Sequence, residues 1–231
     1  YEKDLINKPV KSKIDKVVRK RTKLNLYISL NILCVFIAYF VSLRAVLFFS
    51  VYIFLIWFYS HKLKRSLVVG NIVSSVLSVI PFLIILIYYK NFESIIFMYA
   101  MFLFLIVYVR ELIKDLENIK GDFTLNYKTL PVVYGEKTSK YIITLCILLN
   151  VVVIYFLLTY FDTGNMYYYY YFSIFLLTIF VYVLWKFNNK KYYNFLHNLL
   201  KFIIVLGVLS IVLIDLDLFL EKFYLLLNYF M

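Results

Sequence analysis

An all-α, polytopic transmembrane bundle is the fold class this chain predicts. Three observations carry that expectation: a very apolar composition, a series of long apolar runs, and basic residues gathered at alternate ends of those runs. Of its 231 residues, 64% are hydrophobic and 21% aromatic, with only 5 Gly and 3 Pro and a mean hydropathy of +0.85. A soluble domain is nearer half apolar and richer in turn residues. Apolar runs of about 18 residues or more read as membrane spans, because a hydrocarbon core of roughly 30 Å needs about 20 helical residues.

Seven runs are read as spans, over residues 24–42, 45–59, 66–89, 92–109, 141–160, 166–185 and 199–216. The second is short, giving about 22 Å of helix at 1.5 Å per residue, so it calls for local bilayer thinning or snorkelling flanks. Pro81 inside the third predicts a kink. The sixth opens on Tyr167–Tyr171, which reads as an aromatic belt at the outer interface. The seventh ends at Asp215 and Asp217. Intramembrane carboxylates default to function, an ion path for example. Here Glu221 and Lys222 follow closely, so an interfacial helix end is the simpler reading.

The charges test this map independently. Of the 25 Lys and Arg residues, all but Arg44, Lys90 and Lys222 fall on the side of the N-terminal segment. That bias is what the positive-inside rule predicts for a cytoplasmic N-terminal side, and a miscounted span would scramble it. The net charge of +12 raises the possibility of a nucleic-acid partner. The basic residues hug membrane edges instead of forming a stripe on a soluble domain, which excludes that class. Their default partner is an anionic lipid surface, at about 1 kcal/mol per residue. Cys34 and Cys146 lie inside spans and read as packing residues. His61 and His197 have no second ligand at metal-binding spacing and read as structural. No internal repeat of the kind transporters carry is visible, and no obligate protein partner is evident. The polar stretch from Tyr1 to Lys23 has the character of an interhelical loop, so we expect a chain whose preceding helices are missing.

Two polar segments carry chemistry. Directly after the fourth run, Glu111, Asp115, Glu117 and Asp122 place four carboxylates within twelve residues. Glu111, Asp115, Asn118 and Asp122 recur at steps of 4, 3 and 4, so a continuing helix puts them on one face, and Glu117 joins only through a bend. Oxygen-rich, sulfur-free ligand sets suit Mg²⁺, which takes one or two carboxylates and completes its shell with waters and substrate phosphates. Gly121 is expected to let the backbone turn before Asp122. Pro131 is expected to end the loop by disfavouring helix at Leu130. The bland alternative is a solvated loop end.

The second segment is Tyr59-Ser60-His61-Lys62-Leu63-Lys64-Arg65, at another membrane edge. Tyr59, Lys64 and Arg65 are able to donate to phosphate oxygens, and charge-assisted contacts are strong in a partly dry site. The alternative is a plain positive-inside loop. Acidic metal ligands and basic groups at one membrane face are what an enzyme acting on a lipid diphosphate needs.

The stretch from Arg110 to Asp122, continuing to Lys128-Thr129-Leu130-Pro131-Val132-Val133-Tyr134-Gly135, resembles the second aspartate-rich motif of the UbiA-type intramembrane prenyltransferases. Tyr59-Ser60-x-x-Leu63-Lys64-Arg65-x-x-x-x-Gly70-Asn71 is similar to that family's basic loop. Asp4, followed by Asn7-Lys8-Pro9, looks like the last aspartate of its first motif, N-D-x-x-D-x-x-x-D. Two departures accompany the resemblance: the rest of the first motif would precede Tyr1, and Asn118 stands where many members carry Asp.

The resemblance implies a single membrane-embedded domain over residues 1–231, with seven spans of a nine-helix fold and the first two helices absent. It implies an Mg²⁺-dependent transferase of a bacterial or archaeal cell membrane, with its site on the cytoplasmic side. Asp4, Asp115, Asn118 and Asp122 then become metal ligands, Tyr59, Lys64 and Arg65 catalytic groups, and Arg110, Lys114 and Asn71 substrate contacts. The implied donor is a prenyl diphosphate. The style of the second motif favours a glycerol-phosphate lipid acceptor over an aromatic acid, and an inactive remnant is the alternative of another class.

Overall fold

The computed structural model describes residues 17–88 and 93–213. Asp4, Asp215 and Asp217 lie outside the described residues, as does the side chain of Arg65. Eight α-helices are described: α1 Lys20–Val41, α2 Leu43–His61, α3 Leu67–Tyr88, α4 Ser94–Glu117, α5 Ile119–Thr124, α6 Leu130–Tyr160, α7 Tyr167–Lys186 and α8 Lys190–Ser210. All but the short α5 are long and apolar enough to cross a membrane. The chain is an all-α integral membrane protein, as its hydropathy predicts.

α4 is the hub. It packs on α6, α8 and α3, while α7 fills the space beside α6 and α8. The buried apolar residues follow this pattern: Leu105, Ile106, Val109, Leu112, Ile113 and Leu116 of α4 meet Ile143, Ile147 and Ile154 of α6 and Leu196, Leu200 and Ile203 of α8. α1 and α2 pair with each other and join the bundle through α2 and α3. Their apolar side chains point outward, with Phe40 and Leu43 about three-quarters exposed (73% and 75%). Lipid tails are the solvent for such a surface.

In lipid, burial of apolar groups does little to hold helices together, so close packing and interhelical hydrogen bonds decide. Asn150 Nδ2 of α6 donates to the Phe102 carbonyl of α4 at 3.0 Å. Tyr169 of α7 donates to the Ile203 carbonyl of α8, also at 3.0 Å. Tyr52 of α2 donates to the Leu77 carbonyl of α3 at 2.8 Å. Lys140 of α6 is buried and donates to the Leu184 and Phe187 carbonyls and to Asn188 Oδ1, closing the C-terminal end of α7 with a cation. A positive group there also complements the helix dipole.

The structure corrects several expected boundaries. The fourth span does not end at Val109; α4 runs on to Glu117, carrying Arg110, Glu111, Lys114 and Asp115 in its last turns. The fifth starts at Leu130 and not near residue 141, with Pro131 in its first turn and a break at Gly135 (φ 85°, ψ 164°). Proline is at home there because the first-turn N–H groups have no helical acceptor. The last span begins at Lys190, ahead of the expected residue 199. Pro81 sits inside α3, which continues through it. Cys34 and Cys146 are free thiols, as packing residues would be.

Candidate active site

The site is assembled where the last turns of α4, the α4–α5 break, the first turn of α3 and the α2–α3 connection meet. α4 stops at Asn118, whose backbone leaves helical geometry (φ −106°, ψ 11°). Its amide still reaches back to the Lys114 and Asp115 carbonyls, and its own carbonyl accepts from Asp122 N–H at 3.1 Å. The break is therefore one residue wide, and α5 resumes at once. Glu117, the last residue of α4, is buried as Glu111, Asp115, Asn118 and Asp122 are. Gly121 is helical within α5 and is not the turn. The chain reverses instead at Asn126, which has a positive φ of 55°.

Each carboxylate in this cluster has its own environment. Glu111 is clamped on both oxygens, by Arg110 at 3.1 Å and by Lys114 at 2.8 Å. The two cations keep 26% and 43% of their side chains exposed while Glu111 keeps 7%, so the cations face outward and the anion inward. Asp115 Oδ2 accepts from Asn71 Nδ2 at 2.7 Å. Asn118 Nδ2 donates to the Lys114 carbonyl at 2.7 Å, fixing the amide at the break. Asp122 is fully enclosed.

The basic segment reaches the same place. It ends in a 3₁₀ turn, Leu63–Arg65, which lies against the start of α3 at Gly70. A Cβ at Gly70 would stand 3.0 Å from the Leu63 carbonyl oxygen, so glycine sets how closely the turn approaches. The next residue, Asn71, makes the contact to Asp115. Tyr59 is within electrostatic range of Lys114, and the Lys64 side chain is exposed. His61 instead bonds back to the Trp57 carbonyl of its own helix at 2.9 Å.

Of the residues singled out from the sequence, Asp115, Asn71, Lys114, Arg110 and Tyr59 lie near one another in the structure. Sequence reasoning places Asn71 as a substrate contact, whereas the structure hands its amide to Asp115. It counts Glu111 on the acidic face but gives it no role, although the i, i+3 spacing to Lys114 is a recognisable pairing signal. Among the described residues, no three His, Cys, Asp or Glu groups come together as a metal cluster. The oxygen-only donors Asp115, Asn118 and Asp122 nonetheless fit the chemistry of Mg²⁺, which needs few protein ligands when phosphates and water complete its shell.

An apolar cavity of about 260 Å³ lies further along the same helices, lined by Phe82, Tyr99, Phe102, Tyr169, Tyr170 and Gly207 among others. Measured along α4, it sits roughly 12–22 Å from Glu111, at about 1.5 Å per residue.

A membrane-embedded helical bundle with an acidic segment docked on a basic turn at one end is the class that fold and site define. Residues 1–198 match the UbiA prenyltransferase family, and the chain belongs to that family. It is 31% identical over 152 residues to digeranylgeranylglyceryl phosphate synthase of Pyrococcus furiosus, covering 66% of this chain and 54% of that protein. The synthase of the same name from Methanosphaera stadtmanae is 27% identical over 152 residues, with the same coverage of 66% and 54%. That of Methanopyrus kandleri is 34% identical over 90 residues, covering 39% and 33%. The chain thus spans about half the length of the curated relatives it matches. No solved structure matches significantly.

Proposed function

We propose that the protein transfers a polyprenyl group from a prenyl diphosphate to a free hydroxyl of a glycerol-phosphate lipid, at the cytoplasmic face of the membrane. The observation that carries this reading is the 2.7 Å bond from Asn71 to Asp115, which ties the basic segment to the acidic one. Relatives named as digeranylgeranylglyceryl phosphate synthases support this acceptor over an aromatic acid. The positive-inside bias supports the cytoplasmic placement.

In this reading Asp115, Asn118 and Asp122 would hold Mg²⁺, and Asp4, outside the described residues, is carried only by the family resemblance. The ion, when bound, neutralises charge on the departing diphosphate. Asn71 keeps the Asp115 carboxylate in one orientation. Arg110 and Lys114 are anchored on Glu111 and partly exposed (26% and 43% of their side chains), so their exposed N–H groups can meet phosphate oxygens without losing their fixed positions. Lys64, which is exposed, adds positive charge, and Tyr59, in electrostatic range of Lys114, adds a hydroxyl. Preorganised donors of this kind stabilise charge as it develops on the leaving group. The apolar cavity receives the prenyl chain, whose burial keeps water from the allylic cation.

The test is a transfer assay with the whole protein in membranes, given radiolabelled geranylgeranyl diphosphate, Mg²⁺ and parallel acceptors. Label moving to a glycerol-phosphate lipid confirms the reading. Label moving to a hydroxybenzoate or dihydroxynaphthoate instead reassigns the acceptor, and no Mg²⁺-dependent product from correctly inserted protein overturns the function.

A further inference from the structure

A prenyl chain whose diphosphate sits at the acidic end of α4 runs toward the apolar cavity, and the depth and size of that cavity bear on how long the chain is. The α4 wall of the cavity extends from Ile96 to Leu103. It therefore lies roughly 12–22 Å from Glu111, at about 1.5 Å per residue. An extended carbon chain advances about 1.25 Å per bond, so three isoprene units reach about 14 Å and four reach about 19 Å. Three units end at the near edge of the cavity, and the fourth lies inside it. The volume agrees with the depth. A void of about 150 Å³ takes one benzene ring, so the 260 Å³ here hold the end of a chain and not the whole of it.

Gly207 of α8 stands at that boundary. Tyr169 of α7 reaches across to α8 here and donates to the Ile203 carbonyl at 3.0 Å. Its ring meets Phe102 of α4 edge-on, with centroids 6.0 Å apart. Phe102 is nine residues before Glu111, about 13–14 Å along the helix. Counted along α8, Gly207 is ten residues past His197, which lies within electrostatic range of Glu111. That route gives a depth of about 15 Å. Gly207 and Tyr169 both line the cavity, and a Cβ on Gly207 would stand 2.6 Å from the Tyr169 hydroxyl oxygen. Tyr169 is otherwise enclosed, so the cavity is the open space into which a displaced ring moves. Glycine is a poor helix former. Its place inside α8 is explained by the room it leaves for Tyr169 and for whatever passes beside it.

We propose that Gly207, with Tyr169 against it, sets the length of chain the protein accepts, admitting a fourth isoprene unit and so favouring a twenty-carbon diphosphate over a fifteen-carbon one. The proposal rests on the prenyl-transfer reading above. Selection here is a matter of shape. Lipid tails are as apolar as the cavity wall, so moving a chain end from bilayer to cavity gains little by burial alone. A shorter chain leaves the cavity without close-packed contacts, and an obstruction at Gly207 refuses the fourth unit. A mismatch of one methylene in an apolar pocket changes kcat/KM by about 10–200-fold.

The experiment gives whole protein in membranes either farnesyl or geranylgeranyl diphosphate, with Mg²⁺ and a glycerol-phosphate lipid, and reads the ratio of kcat/KM for the two donors. Wild type should favour the twenty-carbon donor by about tenfold or more. Gly207→Ala should lower that ratio by about tenfold or more. Adding Tyr169→Phe removes the atom the new methyl meets and should restore part of the ratio. Val208→Phe adds bulk to the same cavity wall at a largely exposed position and should shift the ratio in the same direction, which decides the matter if Gly207→Ala fails to insert. A ratio that stays near the wild-type value while both donors lose rate alike makes Gly207 a packing residue and overturns the proposal. Wild type that uses the two donors equally overturns it as well. Wild type that transfers neither chain overturns the functional reading itself, a result distinct from an unaltered ratio in the variants.

Discussion

Asn71 and Asp115 are 44 residues apart in sequence and 2.7 Å apart in space, and this pair holds the two halves of the site together. Replacing Asn71 with Leu keeps the volume but removes the donor. Leaving a buried carboxylate without that bond costs about 1–3 kcal/mol, more when it is charged. We expect Asn71→Leu to insert normally and to lose at least tenfold in turnover, measured by prenyl transfer in membranes; full activity would show that Asp115 needs no orientation. Asp122→Asn is the companion test. It keeps the shape and removes the charge, so turnover should be abolished while insertion and thermal stability remain near wild type. Gly70→Ala probes the backbone instead, since the added Cβ meets the Leu63 carbonyl at 3.0 Å. Overpacking of this kind costs about 1–3 kcal/mol. A fall in the melting temperature of the detergent-solubilised protein, together with a higher KM for the diphosphate, is the expected result. None of these contacts is readable in the sequence, because spacing reports what lies along one helix and says nothing of which helix comes to rest against it.

The elements show a different balance between what is readable and what is not. All seven spans are visible in the sequence because each contains an apolar window about as long as a bilayer is thick. Their ends are not. α6 begins at Leu130 and α8 at Lys190, each well ahead of its apolar window, through segments holding Glu136, Lys137 and Lys140 or Lys190, Lys191 and His197. Hydropathy stops at the first charges, whereas a helix continues as long as its charged side chains find partners. Lys140 is the clearest case, since its ammonium is taken up by the α7 C-terminus. A Lys140→Met change keeps the length of the side chain and deletes three donors. The Leu184 and Phe187 carbonyls would then lose this donor. We expect a loss of about 1–3 kcal/mol and faster hydrogen exchange confined to the last turn of α7. Unchanged exchange there would mean that water already satisfies those carbonyls.

At the scale of the whole molecule the decisive quantity is orientation, because the proposed diphosphate site is useful only on the side where its substrate is made. The seven spans alternate, so residues 62–66, 118–129 and 187–189 share one face, and residues 161–166 lie on the other. The basic residues fall with the first group, while Asp162 belongs to the second. The bonds from Asn71 to Asp115 and from Lys140 to Asn188 join neighbouring helices at that same basic end. They therefore make the alternation a property of the packing and not of hydropathy alone. Accessibility labelling checks it directly. With Cys34 and Cys146 replaced by Ala, single cysteines at Ser60, Lys128 and Asn189 should react with a membrane-impermeant maleimide only in inverted vesicles. A cysteine at Asp162 should react only in intact cells. Mixed labelling of the first three would break the alternation and separate the basic segment from the acidic one across the bilayer. Uniform labelling from outside would keep the site whole but turn it away from the cytoplasm, which the surplus of Lys and Arg at that face makes costly by about 1 kcal/mol per residue near an anionic leaflet.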